Sequence, residues 1–121
     1  MIDDENELIE AFKECLSDKY NIIGFNSAAD FLVYLSDQPN RPFQIAVTDY
    51  KLGNTNGLDM IEKARLINKN IVFILLSGFI DQMTAQHAQR VGAYCILEKP
   101  VQIETLEQKI QDLILSFDIP K

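Results

Sequence analysis

The sequence predicts an α/β fold of five βα units, a doubly wound parallel sheet with a helical layer on each face. Two observations carry this expectation. Short apolar runs rich in β-branched residues, Ile45–Val47, Ile71–Leu76 and Ala93–Leu97, stop at polar residues, as strands buried on both faces do. Between them apolar residues recur every three to four positions, the period of a helix with one buried stripe. Strands alternating with helices at this interval give βαβ units with right-handed crossovers.

At 121 residues the chain is read as one domain over residues 1–121, long enough to bury roughly two thirds of the surface of its unfolded form. No run approaches the ~18 apolar residues of a membrane span, and the acidic start Met1-Ile2-Asp3-Asp4-Glu5 is unlike a signal peptide. No membrane partner and a cytoplasmic location are the expectation. A formal charge of −7 argues against direct contact with nucleic acid, whose phosphates are held by clustered Lys and Arg. It favours a cation or a protein as partner. Cys15 and Cys95 lack metal or redox spacing and read as small core hydrophobes in a reducing compartment.

The first helix is predicted from Glu5 to Lys19, with Leu8, Ile9, Phe12, Cys15 and Leu16 along its stripe. Tyr20–Phe25 reads as a strand, and Ser27 is placed to cap a second helix that buries Ala28, Phe31, Leu32 and Leu35 and breaks at Gln38–Pro42. After the strand ending at Asp49, Gly53, Asn54, Asn56 and Gly57 mark a loop, and Met60, Ile61, Ala64 and Ile67 a third helix. Ile71–Leu76 is the most apolar run. A more polar fourth helix carries Thr84, Ala88 and Val91 and stops at Gly92, a natural left-handed C-terminal position; weak apolar patterning makes it the element expected to move. Ala93–Leu97 is a further strand. Ile103, Leu106, Ile110, Leu113, Ile114 and Phe117 define the last helix, before Asp118–Lys121. Only Met1 and Ile2 precede the acidic pair, so the first strand is abbreviated.

In an open α/β sheet ligands bind outside the carboxyl ends of the strands. Asp3, Asp4, Asp49, Ser77 and Lys99 all fall at such ends. Carboxylates so close repel one another unless a divalent cation sits among them. Oxygen ligands of this kind suit Mg²⁺, which accepts one or two carboxylates and a phosphoryl oxygen. Lys99 can offset charge and Ser77 can donate a hydrogen bond, so the set reads as a site for a phosphoryl group.

With Asp3-Asp4-Glu5, Thr48-Asp49-Tyr50-Lys51-Leu52 closed by Gly57, Leu76-Ser77-Gly78, and Gly92-Ala93 followed by Glu98-Lys99-Pro100, the chain resembles the receiver domain of two-component response regulators. The resemblance covers essentially every residue. It implies the strand order 2-1-3-4-5, counting the five predicted strands along the chain. It implies that Asp49 is the phosphoacceptor, taking a phosphoryl group from a phosphohistidine on a sensor histidine kinase or a histidine phosphotransfer protein. Asp4 matches the direct Mg²⁺ ligand, Asp3 the acid that supports it, and Lys51 would add its backbone carbonyl. Lys99 matches the lysine that pairs with the phosphoryl group, across a cis Lys99-Pro100 peptide. Ser77 matches the switch hydroxyl that draws in the loop after its strand. The protein would then be a phosphoacceptor rather than an enzyme, open to self-catalysed phosphotransfer and autodephosphorylation, with the last helix serving secondarily as a homodimer face.

Departures from the family are specific. The aromatic that usually stands three residues before the lysine is Ile96, with Tyr94 two residues earlier on the same strand face as a substitute. Lys51 and Phe79 occupy positions that influence loss of the phosphoryl group, and neither orients water well, which implies slow decay. A short first strand, central in this fold, would leave its neighbours with unpaired backbone groups, to be covered by another chain or by residues lost from the front of this one. Three alternatives compete with this reading. A phosphohydrolase of the haloacid-dehalogenase type needs a second acid where Lys51 stands; a flavodoxin-like nucleotide binder needs a neutral loop where Asp3-Asp4 stands; a degenerate receiver acting only as a protein-interaction module remains open. His87 reads as a surface residue without ligand partners.

Overall fold

The computed structural model describes residues 1–37 and 44–117. Its elements run α1 (Asn6–Leu16), α2 (Ala28–Ser36), β1 (Gln44–Asp49), β2 (Lys51–Leu52), β3 (Thr55–Asn56), α3 (Gly57–Ile67), β4 (Ile71–Ser77), α4 (Gln82–Val91), β5 (Cys95–Glu98) and α5 (Ile103–Phe117). β4 lies between β1 and β5 and pairs in parallel with both, Asp49 opposite Leu76 and Ser77 opposite Glu98. β2 and β3 form a separate two-stranded antiparallel ribbon at the mouth of the loop after Asp49.

The first strand is a single residue wide in its pairing. Ile2 bridges Thr48 on one side and Phe25 on the other, both in parallel. Its amide donates to the Val47 carbonyl (2.7 Å), its carbonyl accepts from Asp49 N (2.9 Å), and Asp3 N donates to Phe25 O (3.0 Å). The expected strand order therefore holds, with Phe25 standing for the second strand. The predicted strand Tyr20–Phe25 is corrected to that one bridge. Phe25 N also donates to Met1 O (2.8 Å), but among the described residues no ladder runs along 20–24, and a segment without a ladder has little to hold it extended. In its place the terminal amine donates to Ile23 O (2.7 Å). A cavity of about 360 Å³, lined by Met1, Tyr20, Ile22, Val47, Leu106 and Ile110 among others, lies beside this segment.

Alternation along the strands divides the core in two. Phe73 and Leu75 of β4 face α2 and α3, against Phe31, Leu35, Leu58, Met60 and Ile61. Ile74 and Leu76 face the other way, against Phe12, Leu16, Leu106 and Leu113 of α1 and α5. Strand side chains point alternately to opposite faces, and the continuous apolar run of β4 follows from burial on both. Each such side chain contributes roughly 1.5–3 kcal/mol.

Helix starts follow the chemistry of their caps. Ser27 Oγ accepts from Asp30 N, Asn56 Oδ1 from Asp59 N and Asp81 Oδ1 from Thr84 N, each satisfying an amide that the first turn leaves unpaired. Gly92 ends α4 at φ 88°, in the left-handed region. The first helix is shorter than expected, ending at Leu16. Cys15 is exposed, not a core hydrophobe, because Ile9, Phe12 and Leu16 take the buried stripe and Cys15 lies off its edge. Cys95 is half-buried. The predicted break at Gln38–Pro42, the tail Asp118–Lys121 and the side chain of Phe117 lie outside the described residues.

Gly57 sets the backbone around the acid. Its amide donates to Tyr50 O (2.7 Å), and a Cβ there would stand 2.5 Å from the Asp49 carbonyl oxygen and 3.0 Å from Leu75 Cδ1. One contact is backbone and the other a fully buried side chain, so neither yields cheaply. Gly57→Ala should lower stability by about 2–4 kcal/mol in urea unfolding; a loss below about 0.5 kcal/mol, the level of an ordinary surface change, would show that the loop has room to shift.

Candidate functional site

Asp3, Asp4 and Asp49 are brought together at the carboxyl rim of the sheet, and Lys99 reaches in over them. Ile2 delivers Asp3 by pairing with β1, whose last residue is Asp49. Asp3 is fully buried and Asp49 is 6% exposed, whereas Asp4 is exposed. Lys99 Nζ lies 2.9 Å from Asp49 Oδ2 and 3.5 Å from Asp3 Oδ2. Its backbone is fixed by Lys99 N donating to Ser77 O (2.8 Å), and the Lys99-Pro100 peptide is cis, as expected.

Asp3 Oδ1 accepts from Glu5 N (2.8 Å), but Asp3 Oδ2 is buried and accepts no hydrogen bond from the described residues. A buried carboxylate oxygen without a donor is costly. Carboxylate oxygens of Asp3, Asp4, Glu5 and Asp49 all lie within 4.8 Å of one another. This donor set, all oxygen and anionic, fits a hard divalent cation. Glu5 was not among the residues singled out from sequence; its only signal there was adjacency to Asp3-Asp4.

Burial raises the Asp3 carboxyl above the ordinary aspartate range, against the Glu5 amide and the Lys99 charge, which lower it. Burial opposes the Lys99 ammonium, but the hydrogen bond to Asp49 and the charges of Asp3, Asp49 and Glu5 outweigh it and hold that pKa above its usual value.

Ser77 is buried at the end of β4 but turned onto its own loop. Its hydroxyl donates to Phe79 O (2.7 Å) and accepts from Phe79 N (3.3 Å), while Phe79 itself is exposed. Lys51 keeps an exposed side chain and donates its amide to Asp49 Oδ1 (3.4 Å). Ile96, on β5, packs against the core facing α2 and α3, and Tyr94 precedes the strand and is 43% exposed. His87 is less isolated than its sequence neighbourhood implied: packing of α4 beside α3 brings its ring near Asp59 and Glu62, with ligand atoms within 4.8 Å of one another.

The sequence model of the family described as "Response regulator receiver domain" matches residues 1–111. The chain belongs to that family. Receiver domains are phosphoacceptors of two-component signalling. The chain is 33% identical over 103 residues to the alginate biosynthesis transcriptional regulatory protein AlgB of Pseudomonas putida, covering 83% of this chain but 22% of that protein. It thus spans about a fifth of that relative's length. Against the probable chemotaxis protein CheY of Rhizobium etli it is 27% identical over 101 residues, covering 79% of this chain and 78% of the other. The crystal structure of a response regulator receiver domain protein from Clostridium thermocellum superposes with a TM-score of 0.85 at 26% identity, over 97% of this chain and 93% of that one. No helix among the described residues is long and apolar enough to cross a membrane.

In this receiver the raised Asp3 pKa has a definite sign. The folded chain binds the Asp3 proton more tightly than the unfolded chain. The charged carboxylate therefore costs stability as pH rises through the folded pKa, and the cost vanishes below the unfolded value. A cation among the carboxylates favours the charged form and works the other way. Carbon-13 NMR titration should place the Asp3 carboxyl above the ordinary aspartate range without metal and bring it down with Mg²⁺. A midpoint in the ordinary range without metal would contradict the burial account.

Proposed function

We propose that Asp49 is the residue that takes the phosphoryl group, from a phosphohistidine on a sensor histidine kinase or a histidine phosphotransfer protein. An Asp49 carboxylate oxygen attacks phosphorus as the P–N bond to the donor imidazole breaks; the imidazole keeps the electron pair and takes up a proton, and the acid becomes an acyl phosphate. The observation that carries this reading is the meeting at one rim of Asp49, Lys99 and a buried Asp3 oxygen that accepts no hydrogen bond among the described residues.

Transfer of this kind needs positioning and charge neutralisation more than covalent machinery. Asp3, Asp4, Asp49 and the Lys51 carbonyl are the groups that would hold Mg²⁺, which when bound neutralises charge on the phosphoryl oxygens. Lys99 is a mobile point charge already on Asp49 Oδ2, able to follow the phosphoryl group as it replaces that contact. Self-catalysed transfer from a small phosphate donor follows from the same arrangement. Lys51 and Phe79 offer no acid or amide to orient a hydrolytic water, which favours a long-lived acyl phosphate.

Ser77 supplies the switch. A phosphoryl oxygen on Asp49 is a stronger acceptor than the Phe79 carbonyl, so the hydroxyl exchanges one for the other and frees the loop that leads into α4. Only contacts made with the phosphoryl group bias the two arrangements. With Ile96 apolar and packed inward, the report falls to the loop and α4, with Tyr94 as the nearest aromatic. The partners on this reading are the phosphodonor and a second copy of the chain, without nucleic acid or membrane, in the cytoplasm. A module that only binds protein is disfavoured, because such a role gives no reason to bury Asp3 without a donor.

Incubation with acetyl phosphate and Mg²⁺ should add one phosphate by intact mass, and Asp49→Asn should abolish it. A folded chain that takes no adduct, or takes it equally with Asn at 49, would sink this assignment. Ser77→Ala should still be phosphorylated but lose the amide shifts of Phe79–Gln82 that accompany phosphorylation in two-dimensional NMR; shifts equal to those of the unsubstituted chain would remove Ser77 from the switch.

A further inference from the structure

Glu5 stands at the edge of the acidic rim with its backbone fully used and its side chain idle. It is the N-cap of α1, but its carboxylate makes no cap hydrogen bond. Its amide donates to Asp3 Oδ1, and its carbonyl accepts from Leu8 N (3.1 Å) and Ile9 N (3.4 Å). These bonds fix where the side chain starts. The exposed carboxylate meets no donor among the described residues, yet one of its oxygens lies within 4.8 Å of oxygens of Asp3, Asp4 and Asp49. The same cluster contains the buried Asp3 Oδ2 with no hydrogen-bond donor, an independent sign that a cation belongs there.

Charge counting supports a role for the extra acid. Asp3, Asp4, Glu5 and Asp49 carry four negative charges and Lys99 one positive, a net of −3, which a divalent ion brings to −1. Without Glu5 the balance with the ion would be zero. The fourth acid therefore adds attraction for the cation at the expense of leaving the loaded site still anionic. Cation affinity in oxygen sites is tuned by the number of charged ligands.

We propose that Glu5 is a further ligand of the divalent cation, directly or through a coordinated water, so that the ion in this receiver is surrounded by four carboxylates, those of Asp3, Asp4, Asp49 and Glu5. The inference rests on the assignment of the rim as a Mg²⁺ site. It makes Glu5 a determinant of how tightly the unphosphorylated chain holds the ion.

Isothermal titration of Mg²⁺ into the unphosphorylated chain, Glu5→Gln and Glu7→Gln separates the possibilities. Glu5→Gln is isosteric and exposed, and circular dichroism checks its fold. It should weaken Mg²⁺ binding about tenfold, while Glu7→Gln, in the first turn of α1 but outside the cluster, should stay within about twofold. Glu5→Gln within twofold of the unsubstituted chain, or Glu7→Gln equally impaired, would overturn the ligand role and leave the Mg²⁺ site standing. An unsubstituted chain with no saturable Mg²⁺ binding would overturn both.

Discussion

Lys99 holds its ammonium 2.9 Å from one buried carboxylate and 3.5 Å from another, and much of the rim is arranged around that shared charge. Two aspartates with almost no exposure cannot both stay ionised without a cation nearby, and here the chain supplies one from the far edge of the sheet. The lysine ties the end of β5 to the end of β1 across β4, while its amide, bonded to Ser77 O, ties it to β4 itself. Buried ion pairs rarely add net stability once desolvation is counted. This one is better understood as a charge held in readiness, which an incoming anion can claim.

Charge balance at the rim is incomplete on the chain's own account. One ammonium faces four carboxylates, and the innermost oxygen, Asp3 Oδ2, has no hydrogen bond. The fold tolerates this because Asp3 is fastened by backbone bonds as well as by its Oδ1, which accepts from Glu5 N. Ile2 and Asp3 donate to Val47 and Phe25, so the site's most buried acid is positioned by the pairing of the shortest strand in the sheet. Core and site are thus coupled at Ile2, whose side chain is fully buried and whose neighbour is an unsatisfied acid.

The hydroxyl at the end of β4, on the proposed route from Asp49 to α4, is committed elsewhere. Ser77 spends both of its hydrogen-bonding capacities on Phe79, keeping the loop in one arrangement while the exposed phenyl ring faces solvent. α4 beyond it buries only Ala88 completely. An element so lightly anchored is an inexpensive one to displace, and Ile96, packed against the core, has neither the reach nor the polarity to take part.

The βα alternation, the parallel sheet and the rim residues Asp3, Asp4, Asp49, Ser77 and Lys99 are legible in the chain, because period, capping residues and strand-end placement are local properties. The family is legible through the resemblance of the motifs at those strand ends. The tertiary structure decided what depends on partners distant in sequence. It reduced Tyr20–Phe25 to one bridge, because a strand needs a backbone beside it and, among the described residues, Met1–Asp3 bond within that segment only to Ile23 and Phe25. It turned Cys15 outward when three neighbours filled the helix stripe. It set the Ser77 hydroxyl on Phe79, because an uncharged loop carbonyl is the acceptor at hand when Asp49 is already paired with Lys99. And it added Glu5 to the acidic cluster, since only the folding of the chain back from Asp3 into α1 decides which carboxylates can share one ion.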